Sequence, residues 1–199
     1  MLDEKQLIAN FGPKVALDLF FRGKDISETD MLITTDHGGK PSRDEVFYEV
    51  LKMFDNQPIN IFQVGAIESF DSSFRFGSGW SDIFFANYIK KHGGELTICD
   101  PELDHLANSI ASASLLDYNI NSIFGRAEDF MTSEDVYDLY YLDGSNDPEE
   151  CDEQMDIIKD SSCVVLCDDF YTKAALIKDK FDWQIRPVAN IMGILDLRN

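Results

Sequence analysis

Residues 59 to 100 decide the fold: they open as Ile59-Asn60-Ile61-Phe62-Gln63-Val64-Gly65 and close as Gly94-Glu95-Leu96-Thr97-Ile98-Cys99-Asp100. The opening run is too short for a helix and dense in strand formers, so it reads as a buried parallel strand that begins after the break at Pro58 and ends at Gly65. A helix follows, with Ser81 as its N-cap, Asp82 in the first turn, an apolar face from Ile83, Phe84, Phe85, Ala86, Tyr88 and Ile89, and a stop at Gly93-Gly94. Leu96 to Cys99 is the second strand. Strand, loop, helix and strand in this order make a nucleotide-binding unit, and Asp100 at the carboxyl end of the second strand can accept both hydroxyl protons of a ribose.

The glycines narrow the choice of nucleotide. A dinucleotide site needs G-x-G-x-x-G directly after the strand, because the pyrophosphate must touch backbone and a helix N-terminus. Here Gly65 is followed by Ala66-Ile67-Glu68-Ser69-Phe70-Asp71, and the next glycines are Gly77 and Gly79. The loop is long and carries two carboxylates where a phosphate would be repelled, which suits a cationic ligand better.

The chain around this unit has 199 residues, enough for one domain with a sizeable core. Hydrophobic residues make up 44% and aromatic ones 12%, ordinary for a globular protein, but the formal net charge is -20. Such a charge argues against nucleic-acid backbones and anionic membranes as partners, since no basic patch is available for counterion release; its plain reading is a solvated acidic surface. Of the four cysteines, Cys99, Cys163 and Cys167 fall in apolar runs and Cys151 in an acidic helix, so they read as buried free thiols of a reducing compartment rather than metal ligands. The opening Met1-Leu2-Asp3-Glu4-Lys5 is not a signal peptide and no run approaches transmembrane length, which predicts a cytoplasmic protein.

Residues 1–58 read as an N-terminal helical cap or lid segment and 59–199 as the domain proper. Leu2 to Asn10 and Lys14 to Phe21 have short amphipathic patterns, and residues 34–41 form a loop that can lie over the ligand. His37 in that loop is either a general base or an ordinary loop histidine; His92 and His105 read as surface residues. Ser42 and Glu45 make a capping box for a helix whose apolar face is Val46, Phe47, Val50, Leu51 and Phe54.

Beyond Asp100 the alternation continues. Leu103 to Leu116 is helical, Asn121 to Phe124 a strand, Gly125 to Asp129 a turn, and Tyr137 to Leu142 a strand ending at Asp143-Gly144. Asp147 caps a helix with Pro148 at its first position and acids in its first turn. Cys163 to Cys167 is a buried strand closing with Asp168-Asp169, Lys173 to Lys180 a short helix, and Trp183 to Val188 with Gly193 to Leu197 a terminal hairpin. Right-handed crossovers bring Asp100, Asp143, Asp168 and Asp169 to one edge of the sheet, where they either share a ligand or metal or cap separate turns.

Phe62-Gln63-Val64-Gly65, the run Leu96 to Asp100, Gly125-Arg126-Ala127-Glu128, the run Tyr137 to Gly144 and Val164 to Asp169 together resemble the class I S-adenosylmethionine-dependent methyltransferases, over roughly residues 59 to 199. The likeness implies a Rossmann-like α/β three-layer sandwich with a mostly parallel sheet of about seven strands and an antiparallel C-terminal hairpin, to which the helical patterns of residues 1–58 add an N-terminal helical cap. It implies S-adenosylmethionine as cofactor: Gly65, Ala66 and Gly79 approaching it, Asp100 with Pro101 at the ribose, Ala127 and Glu128 along the adenine, and Asp143 facing methyl transfer. Gly77 to Ser81 resembles the loop-to-helix segment of one branch, which adds Ser78. Gln63 stands where that family often has an acid, and Glu68 or Asp71 can substitute by binding the cofactor's amino group.

Asp143, Asp168 and Asp169 also resemble the divalent-metal site of the catechol and caffeoyl-CoA type O-methyltransferases. Three oxygen ligands of that kind would suit Mg²⁺ or Ca²⁺, though an Asp-Asp pair also stands there in relatives without metal. Asp143 or Asp168 would take the acceptor's proton, alone or through the metal. The implied activity is O-methyl transfer to a small hydroxylated molecule or sugar; the alternative is a catalytically inactive protein that keeps cofactor or nucleotide binding. The aromatics around Phe70 to Trp80 would either close over substrate or form a homodimer contact.

Overall fold

The computed structural model describes residues 43–68, 81–134, 136–187 and 191–198. The residues of the expected leading helices, the 34–41 loop with His37, Ser42 of the capping box, and Phe70, Asp71, Gly77, Ser78, Gly79 and Trp80 lie outside the described residues.

Helix α1 (Arg43–Lys52) leads into strand β1 (Ile59–Val64), and the alternation runs on through α2 (Ser81–His92), β2 (Gly94–Asp100), α3 (Leu103–Leu116) and β3 (Asn121–Phe124). A 3₁₀ turn (Ala127–Asp129) precedes β4 (Leu139–Leu142), followed by α4 (Pro148–Ile158), β5 (Val164–Cys167), α5 (Phe170–Lys173) and the hairpin β6 (Gln184–Arg186) and β7 (Met192–Asp196). The seven strands form one sheet in the order β3-β2-β1-β4-β5-β7-β6. β1 pairs in parallel with β2 and β4, β2 with β3 and β4 with β5, while β7 runs antiparallel to both β5 and β6. The first five strands therefore present their carboxyl ends along one edge, and the chain changes direction across the sheet between β1 and β4, where such sheets open a crevice.

Both faces of the sheet are covered, so its central strands are buried and mostly apolar rather than alternating. One face carries Ile59, Ile61, Leu96, Ile98, Leu139 and Leu166 against α1, α2 and α3. The Phe47 ring sits 5.4 Å from each of Phe84, Phe85 and Tyr141, edge-on to Tyr141 at 88°. The other face carries Phe62, Val64, Tyr140, Leu142 and Val165 against Met155 and Ile158 of α4 and the segment after α5. No helix among the described residues is long and apolar enough to cross a membrane.

Most elements lie where their patterns put them, and the differences have local causes. Ser81 is the first residue of α2, and its buried hydroxyl has no hydrogen-bond partner among the described residues, so it does not cap the helix. The helix expected over Lys173 to Lys180 instead starts straight after β5: Asp169 turns into the left-handed region at φ 46° and α5 ends at Lys173. Ala174 to Lys180 then follows as hydrogen-bonded turns, with Ile177 and Lys178 both donating to the Ala174 carbonyl. Asp147 caps α4 as its sequence predicts, Oδ1 accepting the Glu149 N–H at 3.0 Å.

Candidate functional site

Three acids that are distant in sequence meet at the carboxyl edge because their strands are neighbours. A cleft of about 630 Å³ opens there between the ends of β1, β2, β4 and β5, and Asp100, Asp143 and Asp169 all line it. Glu68, Glu102 and Glu150 add three more carboxylates to its walls, against the cationic Arg126 and Lys173 and the imidazole of His105. The cleft is thus an anionic receptacle, hostile to phosphate and suited to a cationic ligand.

Its floor is the turn after β1. Gly65 has φ 92°, and a β-carbon there would overlap the carbonyl oxygen of Asp143, so only glycine lets the two strand ends approach. The backbone beyond it is held by side chains of the β2–α3 unit. Ala66 N–H donates to Asp100 Oδ2 at 2.8 Å, Ile67 N–H to Ser109 Oγ at 3.0 Å, and Asn108 Nδ2 donates to the Ile67 and Glu68 carbonyls at 3.0 and 3.1 Å. These bonds shape the loop without the glycine-rich pattern of dinucleotide folds. Gln63 lies wholly buried beneath: Nε2 donates to the Gly65 carbonyl at 2.7 Å, while Oε1 has no partner among the described residues.

Asp100 is 4% exposed, and its carboxylate is both wall and clasp. Besides Ala66, it accepts the Glu102 N–H on Oδ1 at 2.7 Å, and the His105 Nδ1 lies 3.4 Å from Oδ2. His105, expected on the surface, is a cleft residue, because the first turn of α3 points back at the end of β2. Pro101 and Ala127, expected at the ribose and along the adenine, line the cleft. Glu128 is not among the lining residues: its side chain, 5% exposed, accepts from Arg126 Nε at 3.2 Å and Gln154 Nε2 at 2.6 Å. Cys99 lines the same wall, its thiol pushed up to about 12 by burial and by the charges of Asp100, Glu128 and Asp129. All four cysteines are buried and free.

At the far end stands a cluster built on a residue that sequence reasoning missed. Lys173, 3% exposed, donates from Nζ to Asp143 Oδ1 at 2.7 Å, and the Tyr141 hydroxyl donates to Asp143 Oδ2 at 2.9 Å. Burial pulls the lysine down, but the charges of Asp143 and Asp168 and the Asp143 hydrogen bond outweigh it and hold it above the ordinary lysine range. Asp168 has no exposure at all and lies on the core side, 3.4 Å from the Tyr141 hydroxyl, so it does not line the cleft. Asp169 does, and its carboxylate has no hydrogen-bond or ion-pair partner among the described residues.

The Mg²⁺ or Ca²⁺ site expected at Asp143, Asp168 and Asp169 is therefore not formed. An ammonium already neutralises Asp143, Asp168 is turned inward, and among the described residues no group of three acids, histidines or cysteines is placed to hold a metal ion. The available signal was Lys173 itself, one helical turn after Asp169 and so returning to the same strand end.

No family model matches the sequence, and no curated protein matches it. Solved structures do match the fold. A Staphylococcus aureus protein proposed to be a caffeoyl-CoA O-methyltransferase has a TM-score of 0.58 at 11% identity, over 92% of this chain and 98% of that one. The SAH-bound Podospora anserina methyltransferase PaMTH1 has 0.57 at 15%, over 96% and 92%. The ribosomal protein L11 methylase of Lactobacillus delbrueckii subsp. bulgaricus has 0.53 at 14%, over 78% of each chain. At such identities what is shared is the arrangement of strands and helices: the chain has a Rossmann-like α/β fold, as these methyltransferases do.

Proposed function

We propose that the cleft binds S-adenosylmethionine and that the protein transfers its methyl group to an oxygen of a small hydroxylated molecule or sugar. The observation that carries this reading is the anionic cleft at the β1–β4 switch point, with Asp100 at the end of β2 beside the Gly65–Ala66 turn. That the fold is shared with methyltransferases, one of them SAH-bound, supports it. S-adenosylmethionine, when bound, supplies an activated methyl group on a cationic sulfonium.

The protein's own tasks are then alignment and proton removal. Gly65 and Ala66 give close backbone approach, Asp100 retains lone pairs for ribose hydroxyls beyond its two backbone N–H bonds, and Pro101, His105 and Ala127 wall the base side. At the other end Ser145, Asn146 and Glu150 make a polar wall suited to hydroxyls, and the formal charge of -20 disfavours a nucleic-acid acceptor. Asp169, which lines the cleft and has no side-chain partner among the described residues, is the carboxylate placed to take the acceptor's proton, while Asp143 is engaged by Lys173 and Tyr141.

The test is calorimetric titration of S-adenosylmethionine and S-adenosylhomocysteine into the protein and into Asp100→Asn. We expect binding in the roughly micromolar range, weakened in the variant by about 10- to 100-fold, as for loss of a charged hydrogen bond. Failure of the folded protein to bind either compound would overturn the assignment.

A further inference from the structure

We propose that Lys173 is the resident cation of the acceptor end, holding the position among the strand-end aspartates that a divalent ion would need and offering its ammonium to the acceptor oxygen. Three observations place it there. Its Nζ lies 2.7 Å from Asp143 Oδ1 with the side chain 4% exposed, so the charge is built in rather than borrowed from the surface. It lines the cleft together with Asp143 and Asp169. And its position is enforced by the backbone: Thr172 and Lys173 N–H both donate to the Asp169 carbonyl, at 2.8 and 3.1 Å, so the left-handed turn at Asp169 delivers the lysine and the Asp169 carboxylate to one place.

The physical consequence is exclusion. A divalent ion on Asp143 would stand within a few ångströms of the ammonium in a poorly solvated pocket, where like charges repel strongly. The lysine replaces only the electrostatic part of what a metal does. Among the described residues Asp143 is the one acceptor that Nζ has, and an ammonium has three N–H bonds. A second is available to an acceptor oxygen, where it favours the ionised form of a hydroxyl. Asp169 would then receive the proton: the O–H bond breaks toward the carboxylate, the oxygen's electron pair goes to the methyl carbon, and the carbon–sulfur bond breaks with its pair left on sulfur, so that neutral S-adenosylhomocysteine is the leaving group. Only this use of the ammonium rests on the methyl-transfer reading; the exclusion of divalent ions does not.

Mn²⁺ is the probe, titrated by electron paramagnetic resonance into the wild-type protein, Lys173→Ala and Lys173→Ala/Asp143→Asn, each shown to unfold cooperatively in urea. The wild type is expected to take up no stoichiometric Mn²⁺ at about 1 mM. Lys173→Ala is expected to take up one ion, because Asp143 is released to act as an oxygen ligand beside Asp169, and the double variant to lose it again. A merely structural ion pair would not create a metal site on removal. One Mn²⁺ on the wild type that Asp143→Asn abolishes would overturn the proposal, and so would no ion on a folded Lys173→Ala. Should that variant not fold, the wild-type titration together with Lys173→Gln decides the matter in the same way. S-adenosylhomocysteine titration of the wild type reads the methyl-transfer proposal separately, and its failure leaves the Mn²⁺ results standing.

Discussion

Replacing Lys173 by methionine keeps an unbranched apolar stem and removes the ammonium, with its charge and its N–H donors. Lys173 is 3% exposed, and its Nζ lies 2.7 Å from Asp143 Oδ1. Deleting one member of a buried ion pair costs about 3–5 kcal/mol, chiefly because the remaining charge is left uncompensated. Asp143 keeps a 10% exposed side chain and the Tyr141 hydrogen bond, which places the expected loss at the low end, about 3 kcal/mol. Against a typical total of about 5–15 kcal/mol the variant still folds, with a clearly lower urea midpoint at an unchanged slope. Adding Asp143→Asn removes the stranded charge, so the double variant is expected to lose less than the sum of the singles, with a coupling of about 1–3 kcal/mol. A single variant within about 0.5 kcal/mol of wild type, or strict additivity, would refute the reasoning. The pH dependence has a definite sign. Burial lowers the lysine's pKa but Asp143 and Asp168 raise it further, so the folded value lies above the unfolded one. The contribution is therefore complete below the unfolded lysine value of about 10.4 and is lost as pH rises through the folded value, where wild-type and variant curves should converge.

Gly65→Ala puts a side chain at φ 92° against the Asp143 carbonyl, so it should cost about 1–3 kcal/mol in urea denaturation and weaken S-adenosylhomocysteine binding in calorimetry. Asp147→Ala removes the 3.0 Å cap bond to Glu149 N–H and should cost about 1 kcal/mol in the same denaturation assay, leaving ligand binding as it was. All four thiols are buried, with Cys99 pushed up to about 12, so a colorimetric thiol reagent at neutral pH should find none in the native protein and all after unfolding. Rapid native reaction of Cys99 would contradict its burial.

Elements whose cause is local were legible in the chain. Ile59–Val64 and Leu103–Leu116 have the bounds their patterns suggest, since strand formers after Pro58 and a helical apolar period are written in consecutive residues. The cap at Asp147 was legible for the same reason. Asp168 and Asp169 were not separable, because adjacent residues at a strand end differ only in where the pleat and the next turn point them. One is sealed against Tyr141 and the other faces the cleft. Glu128 likewise has the expected place in sequence but spends its carboxylate on Arg126 and Gln154.

By itself the sequence determined the alternation of strand and helix, the family resemblance, and the gathering of acids at the carboxyl ends of β2, β4 and β5, because parallel strands with right-handed crossovers have little other choice. Tertiary structure alone decided what those acids do. It set Lys173 on Asp143 across 30 residues of chain, swung His105 to Asp100, and tied the turn after β1 to Asp100, Asn108 and Ser109. Charge pairing inside a protein depends on through-space distance and on exclusion of water, and neither is set until the strands and the helices beside them have packed.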